Sequence, residues 1–269
     1  MIVFPHAKIN IGLNVISKRA DGYHNILSCF MPVGWKDALE ILPSEEDRFS
    51  SSGLKIPGES SSNLCLKALA LLREDHKVPP VQIHLHKVIP MGAGLGGGSS
   101  DAAFTIRALN EIFHLNLSFE EMLGYASKIG SDCAFFIQDE AVIAKERGNI
   151  FEKTSIPVKN YHLAIINPGI HVDTAQAYSS LTPQQPKVDI NEALRLPVGK
   201  WKEYIVNDFE SSVFKAFPAI ASIKSSLYDK GAVYASMSGS GSSVYGIFAE
   251  KPDLTAIFPS HYHFWEQKI

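Results

Sequence analysis

Cysteine is scarce in this chain: Cys29, Cys65 and Cys133 are the only three in 269 residues, far apart and without a C-x-x-C pair. An odd, scattered set builds no disulfide framework and suits reduced thiols in a cytoplasm. An excess of charge of either sign is missing too. The 25 lysines and arginines face 28 aspartates and glutamates, a net charge of −3, which leaves no broad field to draw nucleic acid or an anionic membrane. Long apolar runs are absent as well. The opening MIVFPHAKIN is broken by Pro5, His6 and Lys8, so it lacks the apolar stretch of a signal peptide, and no later span is long enough to cross a bilayer. The expectation is a cytoplasmic protein that needs no polymer partner. Repeats and low-complexity tracts are also lacking, and 269 residues of which 45% are hydrophobic suffice for one large domain or about two ordinary ones.

Periodicity predicts strands at 9–16, 38–42, 81–88 and 141–144, and helices at 63–73, 100–113 and 119–128. Ser118 followed by Glu121 reads as a capping box opening the last of these helices. Near Thr154-Ser155-Ile156-Pro157 the pattern restarts, with a strand at 161–166, helices near 174–181, 208–217 and 219–229, and strands at 232–236, 243–248 and 261–265. Residues 1–155 and 156–269 are the expected domains. Helices and strands mix without strict alternation, so the fold class is α+β rather than a doubly wound sheet.

The densest signal is the run PMGAGLGGGSSDAA, in which five of the seven residues from Gly92 to Gly98 are glycine. Glycines are kept at such density where the backbone must curl at positive φ or lie against a ligand. Ala102, Ala103, Ile106, Leu109 and Ile112 follow at helical spacing, so the loop opens a helix whose free N–H groups point back into it. That is the geometry of an anion cradle. Gly92, Gly94 and Gly97 also satisfy the G-x-G-x-x-G of dinucleotide folds, with Glu111 near the place of a ribose-binding acid. Against that reading, the preceding strand ends in Ile89-Pro90-Met91 and does not run straight into the first glycine. A P-loop is excluded, because no Lys-Ser or Lys-Thr follows the last glycine. A flexible linker, the plainest alternative, is at odds with the apolar strand and helix on either side.

Other segments carry chemistry of their own. In PHAKIN, strand alternation puts Lys8 and Asn10 on one face, although a solvated strand lysine would look the same. In GSDCAFF a carboxylate, Asp132, stands against an apolar run, and Ser131 or Asp132 could equally cap a helix. The stretch Ser236 to Ser243 is a second small, hydroxyl-rich loop between strands, or simply a hairpin turn. His84-Leu85-His86 and His261-Tyr262-His263 each put two imidazoles on one strand face, but neither has a third ligand at recognisable spacing, so both read as structural or exposed.

Together PHAKINIGLNV, KRADGYH, GLGGGSSDAA, GSDCAFF and MSGSGSSV resemble the motifs of the GHMP small-molecule kinases, named for galactokinase, homoserine kinase, mevalonate kinase and phosphomevalonate kinase. The resemblance covers nearly the whole chain. Its specific part, KR-x-DGYH, narrows it to the branch that phosphorylates the 2-hydroxyl of a methylerythritol linked to cytidine diphosphate, on the non-mevalonate route to isoprenoid precursors. It implies a two-domain α+β fold with mixed sheets and the active site in the cleft between domains. ATP is the implied donor, and magnesium is expected because it bridges the phosphates of ATP. Asp132 would be the base that takes the proton of the acceptor hydroxyl, with Lys8 beside it stabilising charge on the transferred group. The implied ATP-binding set is Pro90, Met91, Gly92, Ala93, Gly94, Leu95, Gly96, Gly97, Gly98, Ser99 and Ser100, with Asn63, Leu64 and Lys87 on the adenosine side. Tyr23 and Tyr178 would sandwich the cytosine while His24 reads its edge. Asn10 and Thr174 would complete the substrate set, and Asp173 could cap the helix carrying Thr174 and Tyr178. Ser238, Gly239, Ser240 and Gly241 form a candidate phosphate or substrate loop. The glutamate that binds magnesium elsewhere in the superfamily has no counterpart here, which leaves Ser100 or Asp132, directly or through water. A kinase of homoserine, mevalonate or a sugar, and a non-catalytic nucleotide sensor on the same fold, stand as alternatives. Tyr23-His24 argues against the first group, and Lys8 with Asp132 against the second.

Overall fold

A computed structural model describes residues 1–58, 62–179 and 181–269. In chain order its strands are β1 Ile2–Val3, β2 His6–Lys18, β3 His24–Lys36, β4 Ala38–Pro43, β5 Arg48–Gly53, β6 Val81–Lys87, β7 Val142–Glu146, β8 Ile150–Lys153, β9 His162–Asn167, β10 Tyr234–Met237, β11 Val244–Phe248 and β12 His263–Lys268. The helices are α1 Leu64–Asp75, α2 Gly97–Ile112, α3 Phe119–Ile129, α4 Phe135–Gln138, α5 Thr174–Ser179, α6 Ile190–Leu194, α7 Trp201–Tyr204, α8 Glu210–Ala216 and α9 Pro218–Asp229. They group into two compact units, one made of Met1–Lys8, Pro32–Met91 and Gly96–Asp139, the other of Ile9–Met31, Gly92–Leu95 and Glu140–Ile269. The expected division after residue 155 follows neither edge. Residues 9–31 and 140–155 precede it yet belong to the second unit, because β3 pairs with β7 and β7 with β8, and strand pairing overrides sequence order.

The first unit is a sheet in the order β1-β4-β6-β5 with α1 to α4 gathered beside it. It is mixed: β4 runs antiparallel to β6, and β5 runs parallel to it. Along β6 the buried phase takes Val81, Ile83, Leu85 and Lys87 in strict alternation, as a sheet covered on one face requires. That alternation carries a lysine into the interior. On the opposite phase His84 and His86 hydrogen-bond to Ser50 and Ser52 of β5 at 2.8–2.9 Å, so the imidazole pair is structural. Among the described residues no group of three or more His, Cys, Asp or Glu side chains is placed to hold a metal ion.

The second unit holds the antiparallel sheet β10-β11-β9-β12 and most of the sheet β2-β3-β7-β8. Its core gathers Leu13 and Val15 with Ile166, Phe209, Leu227, Met237 and Val244, and α9 packs on β10 and β11. Four strands lie outside the predicted set: β1 is two residues long and pairs with β4, and β3, β5 and β8 are the others. Strand β3 carries Pro32 and Gly34, which are poor strand formers; β5, RFSSSG, is polar and exposed; and β8 is four residues long. Each is recruited by hydrogen bonds to a partner strand rather than by its own pattern. The expected helix over 174–181 is α5, and residue 180 lies outside the described residues. No helix among the described residues is long and apolar enough to cross a membrane.

The capping box that opens α3 is present: Ser118 Oγ accepts the Glu121 N–H at 3.2 Å, and Glu121 Oε2 accepts the Ser118 N–H at 2.8 Å. Ser118→Ala should lower the unfolding free energy by about 1 kcal/mol, read as a shift of the urea midpoint. An unchanged midpoint would show that packing alone sets this helix start.

Candidate active site

Lys8 and Asp132 meet in the first unit. The Lys8 ammonium lies 3.4 Å from Asp132 Oδ2, with the lysine side chain buried and that of Asp132 35% exposed. Asp132 sits in the turn that precedes α4, and the Ala134 N-cap of that helix has no side-chain cap bond. The capping alternative for Ser131 or Asp132 is therefore not realised. Next to it Cys133 is buried, and burial pushes its thiol up to about 12, so it stays a protonated packing group.

The glycine run does two different jobs. Its last two members, Gly97 and Gly98, are the first residues of α2, and Gly96, at φ +69°, is the N-cap of that helix. A side chain at Gly96 would meet Phe136 Cζ at 2.8 Å and Lys8 Cε at 3.3 Å. Gly96 thus lets the backbone pass directly over Lys8. At the start of α2 the Ser100 hydroxyl and Asp101 Oδ1 are buried without a hydrogen-bond partner, and the helix N-terminus places partial positive charge there.

Lys87 does not line an adenosine site. Its side chain has no exposed area, and its ammonium donates to Asp37 Oδ2 and, at 2.8 Å, to Asp101 Oδ2. The second Asp37 oxygen accepts the N–H groups of Val88 and Ile89 at 2.6 and 2.8 Å. Burial alone would depress the Lys87 ammonium, but Asp101 and Asp37 outweigh it and hold the group above its ordinary value. Burial pushes Asp101 up to about 7, Lys87 pulling it back and Asp37 adding to the rise. Asp37 and Asp101 went unrecognised in the sequence because their partner, Lys87, reads as a ligand-facing charge until the strand phase is known. Asn63 also has a structural task, capping α1 by accepting the Cys65 N–H at 2.8 Å. With Leu64, Met91 and Gly98 it lines a cavity of about 90 Å³. A cavity of about 670 Å³ lies around Lys251–Pro259, Tyr262 and Phe264 and contains none of the predicted site residues.

In the second unit the first half of the glycine run packs on the Ser238–Ser243 hairpin. Gly94, at φ +77°, would carry a Cβ 2.0 Å from the Ser238 carbonyl oxygen, so no other residue fits. The Ser238 hydroxyl donates to the Gly94 carbonyl at 2.8 Å and accepts the Asn10 N–H at 3.1 Å. The Ser243 N–H donates to Ala93 at 3.1 Å. The Asn10 side chain is itself held, donating to Ser28 Oγ at 2.9 Å. The hydroxyl-rich segment is thus both a hairpin joining β10 to β11 and one wall of the glycine loop.

The residues expected at the cytosine gather in the same unit in a different pairing. His24 stacks on Tyr178, centroids 4.7 Å apart and planes 16° from parallel, so Tyr23 does not face Tyr178. Tyr23 is exposed at the tip of the β2–β3 turn with the Arg147 guanidinium 5.0 Å over its ring. Tyr178 also meets Phe209 edge-on at 4.8 Å, which makes it partly a core aromatic. Burial and Lys18 hold the His24 imidazolium below its ordinary value, so the neutral ring offers one donor and one acceptor. Thr174 and Ser240 share a hydrogen bond of 2.9 Å, and Asp173 caps α5 through the Gln176 N–H at 3.0 Å.

A carboxylate–ammonium pair beside a glycine-capped helix N-terminus is the arrangement expected of a small-molecule kinase of the GHMP class. Residues 63–140 match the GHMP kinases N terminal domain and residues 192–262 the GHMP kinases C terminal domain. The chain is 53% identical to the 4-diphosphocytidyl-2-C-methyl-D-erythritol kinase of Cytophaga hutchinsonii, covering 94% of each chain. To the protein of that name from Parabacteroides distasonis it is 48% identical, over 100% of this chain and 96% of the other. A crystal structure of 4-(cytidine 5'-diphospho)-2C-methyl-D-erythritol kinase superposes with a TM-score of 0.75 at 29% identity, covering 92% of this chain and 90% of that one. The chain belongs to the GHMP kinase family, in the branch of the 4-diphosphocytidyl-2-C-methyl-D-erythritol kinases, and is an enzyme. The dinucleotide reading of G-x-G-x-x-G is thereby set aside, its third glycine being the first residue of α2.

The raised Asp101 carboxyl makes stability depend on pH. An acid that binds its proton more tightly in the folded state contributes stability fully below its unfolded pKa of about 3.9 and loses it as the pH rises through its folded value, here about 7. In urea unfolding the wild type should therefore weaken between pH 5 and pH 8 relative to Asp101→Asn, which cannot titrate. Parallel pH profiles would remove Asp101 as the source.

Proposed function

We propose that this chain transfers the γ-phosphoryl group of ATP to the 2-hydroxyl of 4-diphosphocytidyl-2-C-methyl-D-erythritol, giving the 2-phosphate and ADP on the non-mevalonate route to isoprenoid precursors. The observation that carries the chemistry is the Lys8–Asp132 pair at 3.4 Å, and the relatives at 53% and 48% identity support the acceptor. Asp132 accepts the hydroxyl proton as the alcohol oxygen bonds to the γ-phosphorus and the bond to the ADP oxygen breaks. Lys8, 3.4 Å from Asp132, neutralises charge on the transferring group. The backbone from Gly92 to Ser100, with Pro90 and Met91 before it, cradles the triphosphate. Little covalent chemistry is asked of the protein; the rate comes from position and charge.

Magnesium fits the donors present. The Ser100 hydroxyl is buried without a partner and Asp132 is part-exposed, both oxygen donors of the kind a hard cation takes. Ser100 or Asp132, directly or through water, would hold it, and the ion would neutralise charge on the phosphates of ATP. On the acceptor side Tyr178 already stacks on a flat ring, the mode a cytosine would use, while Tyr23 offers an exposed second face and neutral His24 a reader of the base edge. Thr174, Asn10 and the Ser238–Gly241 loop complete the proposed substrate set. The buried thiols of Cys29, Cys65 and Cys133 suit the proposed cytoplasmic location. The division at residues 1–155 and 156–269 is retained as the ATP-binding and C-terminal parts in the sense of the family matches at 63–140 and 192–262.

An ADP-release assay offering the cytidine-linked alcohol, mevalonate and homoserine side by side tests the acceptor, release with the first alone being the expected result. Asp132→Asn should abolish turnover while substrate affinities stay within about tenfold; normal turnover would take the base role away from Asp132. Tyr23→Ala should raise KM for the cytidine substrate by the equivalent of roughly 1–3 kcal/mol, the usual loss for a stacking aromatic. An unchanged KM would exclude Tyr23 from the base site.

A further inference from the structure

The segment Val206–Glu210 lies outside every motif that pointed to function, yet it is bonded to two of them. The Leu13 N–H donates to Val206 O at 2.9 Å and the Asp208 N–H to Leu13 O at 2.8 Å, while Asp208 Oδ2 accepts the Val15 N–H at 2.8 Å. These bonds fasten the segment to β2. Asn207, 3% exposed, then spends its amide on the second loop: its nitrogen donates to Met237 O at 2.7 Å and to Gly239 O at 2.8 Å, and its oxygen accepts the Phe209 N–H at 3.0 Å. Glu210 Oε1 accepts the Met237 N–H at 2.8 Å and the Ser236 hydroxyl at 3.1 Å, and its other oxygen pairs with Lys224 at 2.6 Å.

A trans peptide unit points its C=O and N–H in opposite directions. With Gly239 O turned onto Asn207, the Ser240 N–H is turned away from it, and the Ser240 hydroxyl meets Thr174 at 2.9 Å. We propose that Asn207 and Glu210 are positioning residues for phosphoryl transfer: they aim the Ser240 N–H at an anionic oxygen of the bound substrate. This rests on reading Ser238–Gly241 as a phosphate or substrate loop. An asparagine is required because only a primary amide supplies two donors and one acceptor in so short a side chain. Aspartate, of the same shape, would face both carbonyls with no hydrogen to give.

Asn207→Asp should lower kcat per folded molecule roughly 100-fold, as expected for a misaimed group, with both KM values changed less than about threefold, while its melting temperature falls because a buried carboxylate faces two carbonyls. Glu210→Gln, which keeps the acceptor for Met237, should retain most of the turnover that Glu210→Ala loses. The assay uses whichever of the cytidine-linked alcohol, mevalonate or homoserine the wild type phosphorylates, so a wrong acceptor assignment changes only the substrate supplied and leaves the roles of Asn207 and Glu210 open to the same measurement. Independently of turnover, ADP with aluminium fluoride should shift the Ser240 amide resonance in the wild type and leave it in place in Asn207→Asp. A Ser240 amide that does not respond in the wild type, or losses of kcat that merely track losses of folded protein in both variant series, would overturn the proposal.

Discussion

Lys87, buried between Asp37 and Asp101, is the point on which the glycine loop hangs. Putting three charges out of water costs several kcal/mol per ion before any is recovered, and the ion pairs and backbone bonds of the cluster offset that cost, Asp101 Oδ1 being its one carboxylate oxygen without a partner. Asp37 takes two backbone N–H groups as well as the lysine, and the ammonium reaches Asp101 on α2. One cluster thereby ties together the end of β6, the chain that leaves it and the first turns of the helix that closes the loop. The glycines between have no side chains with which to order themselves. A Cβ at Gly97 would stand 2.9 Å from the Lys87 ammonium, so the bareness of the loop and the buried cation require each other.

In the second unit several buried polar side chains act on backbone. Ser238 serves the Gly94 carbonyl and the Asn10 N–H, Asn207 holds two carbonyls, and Tyr245 donates to Asn10 O at 2.9 Å. Phosphoryl transfer to an alcohol asks for correctly aimed N–H groups and one ion pair. A scaffold that spends its buried polar groups on peptide orientation suits that demand. The exposed part of the proposed acceptor site is built differently, from ring faces: Tyr23 under Arg147 and His24 on Tyr178.

Much of this was readable in advance wherever a residue's role follows from its immediate neighbours. The capping box at Ser118 and Glu121, the helix opened by the glycine run, the α+β class and the Lys8–Asp132 pair all appear where local pattern and family motifs placed them. Strand β5 was not readable, since RFSSSG has neither apolar alternation nor β-branched residues and exists because β6 offers it a hydrogen-bonding edge. Nor was the burial of Lys87, nor the stacking of His24 rather than Tyr23 on Tyr178, because each depends on which face of a strand or turn meets a segment far away in sequence.

By itself, then, the sequence determined the family, the glycine cradle, the pairing of Lys8 with Asp132 and most of the regular elements, all properties of short windows with their own periodicity or chemistry. Tertiary structure alone decided which carboxylates the two strand lysines meet. Lys8 and Lys87 both lie on apolar strands, and only the packing around them sends one toward an exposed carboxylate and the other into a sealed pair of aspartates. It alone decided that Asn207 and Glu210 stand behind a loop about 30 residues further along the chain. The reason is physical: the cost of burying a charge or an amide depends on partners that folding brings together, and no local pattern encodes them.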